Sequence, residues 1–322
     1  MSGFDDIFDI PAPVEAKPDK TFDKKAWGEK KQAERQTVYA LADSTATAVG
    51  SDGRMLRSFL DTQARFDRYS TTNVLLILAQ MPQATQLRDF DGWAEAGASI
   101  KKNQHGISIL EPGKEYQRED NTRGTSYNVK KVFDISQTTA RSKKQPAVNV
   151  DERLLLKALI HQPPVAIVTT DELQGNAGAV YDHDSQMLFV RRGMSAPDIF
   201  RSVSKELALS HLAASRESYD RKDAAFAAYC VSYMLCRQHG IDVSAYDFSR
   251  LPDALRSATP QAIREALTEI RDTAGEISKR MSRVLEPAKA PKTKGQERCS
   301  WQEKKNGSLP WMSTSMALRS MR

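Results

Sequence analysis

Six apolar residues in a row, Val74-Leu-Leu-Ile-Leu-Ala79, constrain this chain more than any other feature. A helix carrying such a run has no polar face to turn toward water and must be buried. The residues leading into it, Arg68, Tyr69 and Asn73, therefore sit where a core meets solvent. The same compact stretch, residues 65–112, goes on to carry Trp93, the Lys101-Lys102 pair, His105 and glycine-bounded turns. Regularly spaced arginines, aromatics and a lysine pair brought together in this way read as a nucleic-acid-binding module.

Helical periodicity begins near residue 30, runs to about 48 and restarts after Gly53, with Met55, Leu56, Phe59 and Leu60 on one face. On the opposite face Arg54, Arg57, Asp61, Arg65 and Arg68 follow at three- and four-residue steps and form one stripe that runs into Tyr69. A short helical turn closes at Gly97, a polar turn holds residues 101–106, and alternating segments at 107–109 and 127–135 read as strands joined by a long exposed loop at 112–124. After a basic linker come a helix at 151–160, a strand at 164–169 and a hairpin at 179–191. Helices follow at 197–214 and 222–239, the latter stopped by Gly240.

The expected fold class is thus α+β in two domains: an N-terminal α+β module at 31–140 and a set of helices with a small β-sheet at 150–250. A charged helix at 260–286 follows them. Residues 1–30 hold few large apolar groups after Ile10 and are expected to be a disordered lead. Residues 287–322 are expected to be a basic flexible tail in which Trp301 and Trp311 interleave with lysines and arginines.

Forty-seven basic against forty-one acidic residues give a formal net charge of +6, which favours polyanionic partners. Three cysteines, Cys230, Cys236 and Cys299, with no CxxC spacing, are too few for a disulfide framework or a zinc ribbon. The first residues are acidic where a secretion signal is basic, and no apolar run reaches the roughly 18 residues of a membrane span. The expectation is a cytoplasmic protein with no membrane partner.

Single strands are gripped by a positive groove that follows the phosphates and by aromatic faces on which bases stack. Tyr69 and Trp93 are the candidate platforms. Arg54, Arg57, Arg65, Arg68, Lys101, Lys102 and Lys130 are candidate phosphate contacts, with Asn73 and His105 beside them. Read as a set, Arg68-Tyr69-Ser70, Asn73, Leu75-Leu76-Ile77, Gln80, Pro82, Ala84, Trp93, Gly97, Lys101-Lys102, Gly106-Ile107, Ile109 and Pro112 resemble the single-stranded-DNA-binding domain of the ArdC-type antirestriction family of plasmids and conjugative elements. Asn103 departs from that pattern, which usually has glycine there; asparagine tolerates the left-handed backbone such a turn needs.

The second segment is similar to the zincin-type metallopeptidase domain that accompanies this module in the family. In such domains a helix carries His-Glu-x-x-His, whose two histidines lie on one face and share a zinc ion while the glutamate activates water. Aligned on Glu206, this chain has Lys205 and Leu209 at the histidine positions, and Tyr229 where the resemblance puts a third, acidic ligand. A lysine ammonium repels the cation and leucine has no ligand atom. Glu206 is then expected to be a helix-surface carboxylate beside Lys205, and no metal, cofactor or catalytic residue is expected.

The resulting expectation is a non-catalytic, sequence-nonspecific single-stranded-DNA-binding protein of a mobile element, in an antirestriction or DNA-transfer role that the resemblance implies. The alternatives are a DNA-dependent zinc metallopeptidase with a rearranged site, or a scaffold whose degenerate domain holds a host protein.

Overall fold

The computed structural model describes residues 23–117, 121–141 and 151–289. Most of the expected disordered lead, part of the linker and the tail from 290 lie outside the described residues.

The first helix, α1 (Lys24–Ser51), starts earlier than its periodicity suggests because Asp23 caps it, accepting from the backbone N–H groups of Lys25 and Ala26. Asp52 then caps α2 (Gly53–Arg65). Glycine is needed at 53 because a Cβ would come within 1.8 Å of the Phe248 carbonyl oxygen. The apolar run forms α3 (Thr71–Gln80), capped by Ser70, with Val74 to Leu78 buried as the sequence requires.

A three-stranded antiparallel sheet follows, in the order β1 (Leu87–Arg88), β3 (Arg123–Asp134), β2 (Ile107–Gln117), with α4 (Phe90–Glu95) after β1. The long exposed loop expected at 112–124 is largely strand: β2 runs on to Gln117 and β3 starts at Arg123, with a register irregularity between Pro112 and Glu115. The free edge of β2 is covered by two amides of α3. Asn73 exchanges both its hydrogen bonds with the Leu110 backbone (2.9 and 2.8 Å), and Gln80 does the same at Ser108 (3.0 and 2.9 Å). Seven residues apart on one helical face, these side chains satisfy an edge that would otherwise invite another strand.

After α5 (Glu152–Leu159) a second sheet has the order β4 (Ala166–Thr170), β6 (Met187–Arg191), β5 (Ala179–Asp182), with β4 parallel and β5 antiparallel to β6. It packs on α6 (Ala196–Ser215). Then come α7 (Arg221–His239), ended by Gly240 in the left-handed region at φ 71°, the short α8 (Asp253–Arg256), and α9 (Pro260–Lys289). The class is α+β.

Helices from both expected domains enter one buried cluster: Val49, Leu56 and Phe59 join Val231, Leu235, Ile263 and Leu267. The α2 arginine stripe stays exposed, but part of it is bonded to α7. Asp61 accepts from the Tyr233 hydroxyl (2.7 Å) and pairs with Arg237 (2.7 Å), both on α7, while the Arg57 Nε donates to the same hydroxyl (3.1 Å). Among the described residues no helix is long and apolar enough to cross a membrane.

Candidate nucleic-acid interface

The stacking and phosphate residues expected from sequence are distributed over several surfaces. Trp93 is only 2% exposed, with its indole N–H donated to the Phe133 carbonyl (2.8 Å) and the Arg88 guanidinium 5.5 Å from its ring centre. It is a core residue of the α4 corner and presents no face to a base. Asn73, gripping Leu110, is likewise structural. Lys130 pairs with both Asp89 (2.9 Å) and Glu111 (2.8 Å), and these two partners hold its ammonium well above the usual lysine range. It reaches a phosphate only by giving up those carboxylates.

Arg65 donates to the Pro82 carbonyl and to the Thr62 hydroxyl, and burial draws its guanidinium below the ordinary value. Arg57 lies 5.7 Å over the Tyr233 ring. Arg54 and Arg68 are exposed, Arg54 beside the Asp52 carboxylate. In the 101–105 turn Lys101 donates to the Ser136 carbonyl (2.9 Å), and Lys102 and His105 are exposed. Asn103 adopts φ 61°, the left-handed geometry the turn requires.

Of this set, Tyr69 and Lys130 are brought together. They line one cavity of about 420 Å³ with Arg88, Asp89 and Ile109. Tyr69 is half-buried, stands edge-on to Phe66 with ring centres 5.6 Å apart, and has its phenol raised by that burial. Arg68, adjacent in sequence, lines a different cavity beside α7 and α9.

The structure also shows aromatics that the sequence reading missed. Tyr39 on α1, Tyr116 on β2 and Tyr127 on β3 are 38%, 50% and 40% exposed. They form one neighbourhood: the Tyr39 phenol is raised first by partial burial and then by Tyr127, with Tyr116 adding to this while Arg264 and Arg35 oppose it. Arg35, half-buried, precedes Tyr39 by one helical turn. Tyrosine on strand β3 carried a weak signal. Tyr127 shares a strand face with Val129, which packs against the cluster of Val38, Ala42, Leu76 and Leu110.

The segment expected to be a degenerate peptidase site is rearranged further than the sequence suggests. Glu206 is not a surface carboxylate: it is 1% exposed. The Arg221 Nη2 donates to both its oxygens (2.9 and 2.7 Å) and the Tyr181 backbone N–H donates to Oε2 (2.8 Å). Arg221 Nη1 in turn donates to the Tyr181 carbonyl (2.9 Å). The ion pair thereby closes on the backbone of the edge strand β5, with Lys205 at 3.7 Å from Glu206 as a looser neighbour. Leu209 is buried in the main core. Tyr229 accepts from the Asp247 N–H (2.7 Å), packs against Tyr246 and Phe248, and lines a cavity of about 220 Å³ with Lys205 and Arg201. Among the described residues no group of three or more His, Cys, Asp or Glu is placed to hold a metal ion.

These elements define an α+β protein with an aromatic-basic surface on a helix-backed hairpin and a sealed carboxylate beneath β5. No protein-family model matches the chain, and no curated protein matches it. Solved structures similar to it include two crystal structures of the antirestriction protein ArdC from plasmid R388. The metal-free form is 19% identical over 67% of this chain and 86% of that one, with a TM-score of 0.47. The Mn(II)-bound form is 18% identical over 66% and 85%, again with a TM-score of 0.47.

Proposed function

We propose that this protein binds single-stranded DNA without base-specific readout and without catalysing a reaction on it. The observation that carries this reading is the set of exposed rings Tyr39, Tyr116 and Tyr127 on α1, β2 and β3, with Arg35 one helical turn before Tyr39. A duplex keeps its base faces inside the stack, whereas an unpaired strand presents them, and each base stacked on an aromatic side chain contributes ~1–3 kcal/mol. The Tyr69 cavity and the Lys101-Lys102 turn supply further contact points on the same module. The resemblance of roughly residues 30–140 to the ArdC-type family supplies the wider setting, a mobile element whose transferred strand is escorted past host restriction.

The absence of catalysis is supported by the bonding of Glu206. A general base for hydrolysis needs a carboxylate open to water. Here both carboxylate oxygens already accept hydrogen bonds, and Leu209 offers no ligand. Fluorescence anisotropy with a labelled 30-mer tests the binding reading. Single strands are expected to bind at least tenfold more tightly than the matched duplex, with affinity falling as salt rises. Equal affinity for the two forms, or none for either at low salt, removes it.

A further inference from the structure

Side chains close two sheet edges of this fold. Asn73 and Gln80 bond the β2 edge at Leu110 and Ser108, and Glu206 with Arg221 takes up both backbone groups of Tyr181 on the β5 edge. The β4 edge has no such cover among the described residues. The Arg192 N–H donates to the Thr170 carbonyl (3.1 Å), so Thr170, Val168 and Ala166 turn their backbone groups toward β6. Ile167 and Thr169 therefore turn theirs outward, where no described residue bonds them. The β4–β6 register is regular, and β4 holds neither proline nor lysine. A β-branched edge without a bulge or a charge is a template for another strand.

The side chains beside this edge say what kind of strand fits. Register places Val180, Phe189 and Val168 in one row across β5, β6 and β4. Tyr181 and Leu188, one residue along, are buried in the core with α6, so the row lies on the opposite face of the sheet. There Val168 is 38% exposed, and Phe189 and Val180 are partly exposed. This apolar row stops at the open edge. No residue of β4 is charged, and the charges at its C-terminal end, Asp171 and Arg192, pair with each other (3.1 Å).

We propose that the β4 edge pairs antiparallel with the β4 edge of a second copy of this chain, about a twofold axis at Val168. In that register Ile167 of one copy faces Thr169 of the other, and each such pair exchanges both its N–H···O bonds. Val168 stands opposite its own counterpart and Ala166 opposite Thr170, so no charged side chain meets a like charge. The two Asp171 carboxylates fall at opposite ends of the seam, roughly 20 Å apart at ~3.3 Å per residue. The apolar row then runs unbroken through both sheets, a match that a second copy supplies by symmetry. The proposal does not rest on the tyrosine surface and stands whether or not that surface binds DNA.

Sedimentation velocity of the full chain tests it. Interfaces of ~1,600 Å² hold from micromolar to picomolar and this seam is smaller, so dimers are expected at ~200 μM and monomers at ~1 μM. Val168→Lys sets two ammonium groups against each other at the axis, and Val168→Glu sets two carboxylates. Each variant alone is expected to be monomeric at the higher concentration, and their equimolar mixture to regain the dimer. Residues opposite each other at such a position have Cα atoms about 4.5 Å apart, within the ~4.4–6.8 Å that a disulfide spans. Cys230 and Cys236 are buried, so in a Cys299→Ser background Val168→Cys is expected to cross-link two chains under mild oxidation at least tenfold faster than Ala166→Cys, which faces Thr170. A monomer at the higher concentration, the result that a segment of the same chain closing the edge would give, overturns the proposal. So does a dimer that Val168→Lys leaves intact, or equal cross-linking at 166 and 168.

Discussion

Replacing Arg221 with alanine probes the sealed carboxylate. In the parent protein Glu206 has three hydrogen bonds, two from Arg221 Nη2 and one from the Tyr181 N–H, and almost no contact with solvent. Removing one partner of a buried pair leaves an uncompensated charge and costs about 3–5 kcal/mol. The Arg221 side chain is itself 42% exposed, so water enters part of the space it vacates, and the expected loss drops to about 2–3 kcal/mol. At ~1.5–2 °C per kcal/mol, from about 2.1 cal/mol/K of unfolding entropy per residue, the melting temperature falls by roughly 3–6 °C. Urea denaturation followed by circular dichroism measures the free energy directly. The double substitution Glu206→Met with Arg221→Leu removes both charges together and is expected to recover most of the loss, since apolar replacements of buried pairs are often neutral. A destabilisation below about 0.5 kcal/mol for Arg221→Ala refutes the view that this arginine neutralises a buried glutamate.

Other outcomes follow from the same geometry. Asn73→Ala breaks both hydrogen bonds to Leu110 and exposes the β2 edge, and is expected to cost about 1–3 kcal/mol of stability. Trp93→Phe loses the bond to Phe133 and about 1 kcal/mol, and should leave single-strand affinity within twofold of the parent in anisotropy. His211 is drawn below the ordinary histidine value by burial and then by Arg280, against Glu276. The unfolded state therefore takes up a proton near pH 6.5 that the folded state refuses, and stability falls as pH drops through that value, by at most ~1.4 kcal/mol per unit. Denaturation midpoints between pH 7.5 and 5.5 check this slope, which His211→Leu should flatten.

The local elements were legible because their signals are local. Ser70 capping α3, Gly240 ending α7 and the Asp182 to Ser185 turn each act within a few residues of chain. The start of α1 lies earlier than its periodicity suggests because its cap, Asp23, lies in a stretch poor in large apolar groups, where periodicity is silent. What sequence could not show was pairing between distant elements. Glu206 read as a surface group because its neutralising partner, Arg221, stands on the next helix. Lys130 read as free because Asp89 and Glu111 come from elsewhere in the module. Exposure has the same limit: Trp93 and Tyr127 both read as aromatics flanked by polar or small residues, and only packing decides that the first is buried and the second open.

The most direct test is the affinity of a labelled single strand for the triple variant Tyr39→Ala, Tyr116→Ala, Tyr127→Ala, measured by anisotropy at fixed salt. All three rings are exposed, so the fold is expected to survive, as circular dichroism would report. Losing even two stacked bases at ~1–3 kcal/mol each lowers affinity by at least about 30-fold. An affinity for single strands unchanged within twofold would place DNA elsewhere on the protein and contradict the account.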